Sequence, residues 1–517
     1  MNKPLTLPGL FSQSQPDTVP LVATSRLGEE VNAEQCPNYS NIPVNLRFVP
    51  VWWQNHPCIL LEDIEDYETK HDAIGEAQEA VDKARVVRLV GEAQSCRESL
   101  IAEIKLLRPG CDFTLEIPNY DALSQKGWFA DCNIHLPITF DDGVKWFIRV
   151  RQRGRKSPAE ITDSIIRSEV CTLNLLKRSG IPVPEAWLPR YLQKGCTGGE
   201  RLPINYFFYE VIEGKPLHLP IDGRDPIELP EDEMRAFVEE YAKLQIRFAD
   251  MKLPFNKIGC LVPAGNGLPD TSDESLEVGP IYNRGTFMKP TPPYVFGPFS
   301  TIEERYLAHI DATLEYILRG ALQKDLIIED YLWHLELREY IQVSSQLNTP
   351  ACEPVFIKHA DERGDHLMRD HAGHIVGILD WEWAYVTTKE EAFSAPSVFN
   401  LNLNFWRFGD NSLRPIEQAL IDAYTRLDRP DLADCVRDGK IYNRLEMIGQ
   451  YDPMWAKSGF REVFGNNIPA DFNPPEKDYD WVQQRRRKRN ERGYWRLNLR
   501  RNMRSGRKKQ YEEWKNP

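Results

Sequence analysis

The chain has 517 residues, of which 41% are hydrophobic and 27% charged, and its formal net charge is −13. This composition excludes an intrinsically disordered chain and is typical of a globular protein with several domains or of one large two-lobed enzyme. No apolar run approaches the roughly 20 residues that cross a bilayer, so we expect no transmembrane segment. No transit-peptide pattern is present, and the ten cysteines stand singly, without a C-x-x-C pair. We therefore expect a cytoplasmic protein, with the nucleus as the alternative.

The N-terminal part of the chain predicts an extension that precedes the first sheet. Residues 1–45 are rich in proline and polar side chains and show no period, so irregular structure is expected there. Over residues 60–107 apolar side chains recur at helical spacing, and Pro109 and Gly110 end the pattern.

From residue 111 the period of the sequence changes to that of strands. Residues 113–117, 132–140 and 145–150 predict three strands, and Asp141, Asp142 and Gly143 are typical of a hairpin turn between the last two. Arg149 lies on the third of these strands. An amphipathic helix is predicted over residues 164–179, with Glu169 on it, and a further strand over residues 206–212.

The remaining chain is predominantly helical in its periodicity. A loop rich in glycine and proline is expected over residues 258–300. The predicted helices cover residues 231–248, 301–320, 326–346, 415–427, 430–439 and 440–450.

Two aspartates in the stretch 359–384 each follow a short apolar run. Residues 355–358 lead into His359, Ala360 and Asp361, and residues 374–379 end at Asp380. A carboxylate at the end of a buried strand is fixed in position and still reaches solvent. Two of them, 19 residues apart, suit one catalytic base and one metal ligand, which phosphoryl transfer requires.

A zinc site is the alternative interpretation of this stretch, because it holds four of the ten histidines, at positions 359, 366, 371 and 374. However, no H-E-x-x-H motif and no paired C-x-x-C accompanies them. His371 and His374 also lie in a predicted hairpin turn, so the pattern favours phosphoryl transfer.

The same stretch resembles the aminoglycoside phosphotransferase family, the protein kinase-like enzymes that phosphorylate small alcohols. The family carries H-x-D, an Asn five residues after the Asp, and an apolar strand that ends in I-D-W/F-E. This chain has His359 and Asp361 in the first motif, and Asp380 and Glu382 in the second. Within the family it resembles uncharacterised fungal members.

The resemblance covers about residues 111–450 and implies an α+β, two-lobed protein kinase-like fold, with a small antiparallel-sheet N-lobe and a mostly helical C-lobe. The implied division is a partly irregular, then helical extension over 1–110, an N-lobe over 111–213, a C-lobe with the catalytic loop over 214–470 and a basic tail over 471–517.

The resemblance also implies ATP and Mg²⁺ as cofactors, with Mn²⁺ as an alternative metal, and a hydroxyl group of a small molecule as the acceptor. Asp361 would be the catalytic base and His359 would brace its loop. Asp380 would bind the metal, and Glu382 would support the strand after it.

The nucleotide contacts implied by the resemblance lie in the N-lobe. Arg149, oriented by Glu169, would hold the phosphates, and the turn over residues 126–133 would cover them. The backbone of Glu210, Val211 and Ile212 would contact the adenine at the hinge between the lobes.

The chain departs from the family pattern at His366, where Asn is usual. A histidine nitrogen binds magnesium poorly, because magnesium prefers oxygen ligands. The sequence therefore leaves three arrangements open: His366 as a metal ligand with manganese, Asp365 as a substitute ligand, or a site with one metal. A catalytically impaired pseudokinase that acts as a nucleotide-binding or scaffold protein is the alternative function.

The C-terminal tail reverses the charge of the chain. From Trp481 onward it carries 14 basic and 3 acidic side chains, so the preceding 480 residues carry a net charge of −24. Such a tail predicts contact with nucleic acid or an anionic surface, or a segment that pairs with the acidic body and keeps the protein soluble.

Overall fold

The structure, a computed structural model, describes two short strands near the N-terminus, β1 (Ala23–Thr24) and β2 (Glu30–Val31), and most of the chain from 83 to 464. The gaps within that range are 130–132, 152–157, 194–198, 200, 218–230, 265–275, 284–291, 320–326, 353, 363, 401–403, 406–408, 447 and 450–456. The predicted helix over residues 60–82 and the basic tail lie outside the described residues.

Five antiparallel strands form the sheet of the N-terminal lobe; four of them were predicted, and the two-residue strand β6 was not. Their order is β3-β4-β5-β7-β6, and a hairpin joins the two longest at Gly143, whose φ is +86°. The strands are β3 (Phe113–Leu115), β4 (Asn133–Phe140), β5 (Lys145–Arg151), β6 (Ala186–Trp187) and β7 (Asn205–Glu210).

Side chains alternate between the two faces of this sheet. The even-numbered residues of β4 and β5, such as Ile134, Leu136 and Ile148, form one hydrophobic cluster with two helices, α1 (residues 83–95) and α2 (Arg97–Leu107). The odd-numbered residues therefore face the other way, toward the C-terminal lobe. This alternation puts Arg149 on the face that the N-terminal helices leave uncovered.

Two helices of the lobe differ from the prediction. The helix α3 (Tyr120–Lys126) was not expected; the Asn119 side chain accepts a hydrogen bond from the Ala122 N–H and caps it. The helix α4 (Ala159–Arg178) begins five residues earlier than expected, because Pro158 at its start suits a helix N-terminus.

The C-terminal lobe is mostly helical, as predicted, with three small sheets. Its elements are β8 (Lys215–Pro216), α5 (Glu231–Met251), β9 (Leu261–Pro263), β10 (Leu276–Val278), α6 (Ile302–Arg319), α7 (Ile327–Val343), β11 (Phe356–Lys358), β12 (Leu367–Arg369), β13 (Ile375–Ile378), β14 (Tyr385–Thr387), α8 (Lys389–Ala392), α9 (Pro415–Arg426), α10 (Pro430–Arg437), α11 (Lys440–Leu445) and α12 (Lys457–Val463). No helix in the described ranges is long and apolar enough to span a membrane.

The segment expected to be a loop over residues 258–300 is partly ordered into strands. β9 and β10 pair antiparallel, and isolated bridges join Ile258 to Phe299 and Ile281 to Phe296. These pairings connect residues distant in the chain, so local periodicity did not reveal them.

Two of the small sheets position the aspartate motifs. β11 pairs with β14, and Asp361 follows β11. β12 lies between β13 and β8, and Asp380 follows β13. The antiparallel N-lobe sheet and the helical C-lobe confirm the expected α+β, two-lobed kinase-like fold class.

Candidate active site

A buried arginine joins the two lobes. Arg149 lies near the centre of β5, which β4 and β7 flank. Its Nη1 lies 3.7 Å from Glu169 Oε1 on α4, and its Nη2 donates to the Asp380 carboxylate beyond β13. Burial disfavours the charged guanidinium, but the neighbouring carboxylates outweigh that effect and raise the pKa of Arg149 well above its usual range. Three residues that the sequence singled out therefore meet at one point.

Glu169 is the most deeply buried member of this group. Burial raises the pKa of its carboxyl group to about 8, and the nearby Arg149 only partly offsets that rise. Its Oε2 has no hydrogen-bond partner within the described ranges. Burial thus disfavours the ionised form of Glu169, and the partly exposed Asp380 is the stronger anionic partner of Arg149.

A second arginine on the same strand was missed by the sequence reasoning. Arg151 is buried and donates to the Glu382 carboxylate, and its guanidinium carbon lies 4.8 Å from the centre of the Trp383 ring. Glu382 also lies 3.3 Å from Arg149 Nη2 and 3.4 Å from the amide nitrogen of Asn133. The period of two along a strand places residues 149 and 151 on one face, and that pattern could have identified Arg151.

His359 connects the two aspartate motifs. Its Nδ1 accepts from the Asp361 N–H at 3.3 Å, and its Nε2 lies 2.7 Å from the Leu379 carbonyl oxygen. Since a carbonyl only accepts, the ring carries its proton on Nε2. One neutral imidazole therefore fixes the Asp361 loop relative to the residue that precedes Asp380. This geometry agrees with the bracing role expected of His359.

The backbone turns sharply at both motifs. Ala360 and Asp380 have φ values of +66° and +68°, in the left-handed region that side chains other than glycine rarely adopt. Such conformations persist where the surroundings impose them, and they are frequent at functional sites. The Asp380 side chain is 33% exposed, so its carboxylate reaches the cleft between the lobes.

His366 lies beside His359. The two rings have centroids 4.4 Å apart, and His366 Nδ1 accepts from the Gly364 N–H at 3.2 Å. Across the described ranges, no group of three or more His, Cys, Asp or Glu side chains is arranged to hold a metal ion. His359 and His366 thus lie together, but no third ligand of the zinc alternative joins them within the described part of the chain.

The expected hinge residues follow β7. Glu210 Oε2 accepts from Lys177 Nζ at 2.7 Å and from the Glu185 N–H at 2.9 Å. The N–H groups of Glu210 and Val211 donate to backbone carbonyls of the N-lobe. Ile212 packs directly on Gly377 of β13, because a Cβ on that glycine would lie 2.6 Å from the Ile212 side chain. This segment therefore connects the two lobes at one edge of the cleft.

Aromatic side chains that the sequence reasoning missed lie on the same sheet face as Arg149. The His135 ring packs edge-on against Phe147 and Tyr209, with centroids 5.6 and 6.0 Å away, and Trp128 contacts Phe147 at 5.5 Å. Burial and the Arg149 charge lower the pKa of His135 to about 3, so its ring is neutral. An uncharged aromatic cluster therefore lies beside the Arg149 guanidinium.

Charged side chains also lie next to the Asp361 loop. Lys358 Nζ lies 3.5 Å from Glu362 Oε2, and the Tyr241 hydroxyl donates to Glu362 Oε1 at 3.2 Å. Burial raises the pKa of Glu446 to about 7, and the charges of Glu362 and Asp361 add to that rise. Glu446 comes from the end of α11, so no local motif connects it with Asp361.

A family model described as "Phosphotransferase enzyme family" (APH) matches residues 141–388. The matched region contains Arg149, Glu169, His359, Asp361 and Asp380. No curated protein matches the chain.

Several solved structures are similar to the chain at low sequence identity. A thermostable mutant of aminoglycoside phosphotransferase APH(4)-Ia in its apo form is 16% identical, with 71% of this chain and 100% of that chain covered and a TM-score of 0.34. Ethanolamine kinase of Plasmodium vivax is 14% identical, with 83% and 94% covered and a TM-score of 0.38. Macrolide 2'-phosphotransferase MphH from Brachybacterium faecium is 13% identical, with 73% and 98% covered and a TM-score of 0.33.

Proposed function

We propose that this chain, whose residues 141–388 match the model of the phosphotransferase enzyme family, transfers the γ-phosphate of ATP to a hydroxyl group of a small molecule. The observation that carries the proposal is the position of Arg149 between Glu169 and Asp380. Phosphoryl transfer depends on a fixed cation for the phosphates and a carboxylate for the metal. In this protein the two groups are in direct contact at the junction of the lobes.

The contact between Arg149 and Asp380 has a consequence for how ligands bind. Each side chain neutralises the other, so a ligand that separates them has to supply a new partner for both. The phosphates supply an anion to Arg149, and a divalent metal supplies a cation to Asp380. ATP without metal would leave Asp380 uncompensated. We therefore expect ATP and metal to bind cooperatively, and either one alone to bind weakly.

The donor at the proposed metal position fits magnesium. Asp380 offers hard carboxylate oxygens and is partly exposed, and magnesium in proteins is often held by one or two carboxylates, with phosphates and water as the other ligands. Magnesium, when bound, neutralises the charge on the β and γ phosphates. In this proposal Asp361, whose N–H donates to His359 Nδ1, orients the acceptor hydroxyl and accepts its proton.

The rest of the cleft supports a nucleotide at this position. The neutral cluster of His135, Phe147 and Tyr209 lies on the same sheet face as Arg149. A base that stacks there would have its phosphates directed toward the arginine. Glu210, Val211 and Ile212 lie at the lobe connection, and we assign the adenine edge to their backbone. Because the Glu210 and Val211 N–H groups donate within the N-lobe, the Ile212 N–H and the carbonyl groups of the segment would make these contacts.

Titration of ATP in the presence of Mg²⁺, Mn²⁺ or EDTA tests this proposal. Affinity should rise with either metal in the wild type, and Asp380→Asn should lose that gain. Asp431→Asn is the matched control, because Asp431 also pairs with an arginine and is 38% exposed, but it lies far from the cleft on α10. It should bind like the wild type.

Two outcomes would contradict the proposal. Failure of any nucleotide to bind with any metal would favour a scaffold without a nucleotide site. A metal-dependent gain that survives in Asp380→Asn would place the metal elsewhere.

A further inference from the structure

We propose that His366 is a positioning residue that holds the Asp361 loop against the Asp380 strand, rather than a metal ligand. The inference rests on the proposed function, because it explains how this chain builds its site without the asparagine that is usual at this position.

The ring of His366 is fixed on two sides. Its Nδ1 accepts the Gly364 N–H, which closes the tight turn of the loop at a glycine with φ +101°. Its face lies against the His359 ring, whose other neighbour is Trp381 at 4.7 Å. The His359 ring therefore lies between the rings of His366 and Trp381, and Trp381 directly follows Asp380.

The backbone of His366 completes the connection. Its carbonyl oxygen accepts from the Leu379 N–H at 2.8 Å, while the Leu379 carbonyl accepts from His359. Both backbone groups of Leu379 are thus engaged by the two histidines, one residue before Asp380. Because Asp380 has a strained left-handed backbone, its carboxylate depends on this support for its position.

The chemistry of the ring argues in the same direction. Magnesium binds imidazole nitrogen poorly. The nitrogen that corresponds to the oxygen of an asparagine ligand is Nδ1, and it already accepts a hydrogen bond from the Gly364 N–H. His366 is also buried, whereas the Asp380 carboxylate is partly exposed to the cleft. The ring instead borders a small cavity of about 20 Å³ behind the loop, shared with Lys358 and Glu362.

Three substitutions distinguish a positioning role of His366 from metal binding by its side chain. His366→Phe keeps a flat ring against His359 and removes both nitrogens. His366→Asn keeps an acceptor near the Gly364 N–H and supplies the oxygen usual in the family, but it removes the ring. His366→Ala removes both features. His371→Ala, at an exposed histidine of the neighbouring hairpin, is the control.

The first readout is the gain in ATP affinity that Mg²⁺ or Mn²⁺ produces. We expect His366→Ala to reduce this gain by about tenfold, and His366→Phe to restore it to within about threefold of the wild type. His366→Asn should not exceed the wild type with Mg²⁺. The opposite pattern, in which Phe behaves like Ala while Asn raises the gain with Mg²⁺, would overturn the proposal and make position 366 a ligand.

The second readout does not need ligand. Amide hydrogen exchange over residues 375–384 reports the Leu379 N–H, and it should be faster in His366→Ala and close to the wild type in His366→Phe. An unchanged exchange rate in His366→Ala would refute the positioning role of His366, even if the protein binds ATP. Conversely, a wild type that gains no affinity from metal would refute the proposed function, while the exchange data would still decide the role of His366.

Discussion

The buried pair of Arg151 and Glu382 should contribute strongly to stability, and its energetics follow from the contacts. The two side chains are 2% and 4% exposed. In Glu382→Gln, Arg149 keeps Asp380 and Glu169, but Arg151 loses the carboxylate to which its Nη1 donates. Removing one charged member of a buried ion pair costs about 3–5 kcal/mol, and we expect that loss in the free energy of unfolding.

The reverse substitution should cost less. In Arg151→Met, Glu382 keeps Arg149 at 3.3 Å and the Asn133 amide at 3.4 Å. The loss is then one hydrogen bond to a charged group, or about 1.5–3 kcal/mol. The double variant should be more stable than Glu382→Gln alone, because it no longer contains a buried guanidinium that has lost its carboxylate.

Urea titration followed by tryptophan fluorescence measures all four proteins of this double-mutant cycle. Since the double variant should be more stable than Glu382→Gln, the coupling energy should be at least as large as the Arg151→Met loss of about 1.5–3 kcal/mol. Arg201→Met is the control, since Arg201 pairs with Asp163 in the same lobe but its side chain is 37% exposed. Exposed pairs contribute less than about 1 kcal/mol. Additive losses, or a Glu382→Gln loss no larger than that of Arg201→Met, would refute the reasoning.

Two further predictions concern pH. His135 has a pKa of about 3 in the folded protein and about 6.5 when unfolded, so its contribution to stability is complete above pH 6.5 and is lost as the pH falls toward 3. His135→Phe should flatten the decline in the free energy of unfolding between pH 6.5 and 4, with a change in slope of less than about 1.4 kcal/mol per pH unit. An unchanged slope would contradict this. Glu169 has the opposite sign, because its folded pKa of about 8 lies above its ordinary value of 4.5, so stability is present below pH 4.5 and is lost as the pH rises through 8. Glu169→Gln should lose less stability with rising pH between 5 and 8, and a slope equal to that of the wild type would show that the carboxyl group is already ionised in the folded protein.

The elements that sequence reasoning predicted correctly are those with a strong local signal. β4 and β5 alternate clearly, and Asp142 and Gly143 between them fit a hairpin turn. Most long helices of the C-lobe were predicted to within a few residues by their period of apolar side chains. The meeting of Arg149, Glu169 and Asp380 followed from the family pattern, which carries information on contacts that no local period contains.

The features that were missed depend on contacts between distant parts of the chain. The Glu382 carboxylate accepts hydrogen bonds from Arg151 and Asn133, which lie on strands more than 200 residues earlier in the chain. The neutral state of His135 depends on burial beside Arg149, and its position in β4 alone does not reveal this. The role of His366 could not be read from the motif either, because a substituted residue can keep the site in order without taking over the chemistry of the residue it replaces.

The central claim is that Asp361 and Asp380 have separate roles in a metal-dependent phosphoryl transfer. The most direct test is ADP formation from ATP and Mg²⁺ with a panel of small amino alcohols and sugars, together with the ATP affinity of Asp361→Asn and Asp380→Asn. We predict turnover by the wild type with at least one acceptor, and a loss of about 100-fold or more in Asp361→Asn without a change in metal-dependent ATP affinity. Asp380→Asn should lose that affinity as well. Turnover that persists in Asp361→Asn, or metal-dependent ATP binding that persists in Asp380→Asn, would contradict the account.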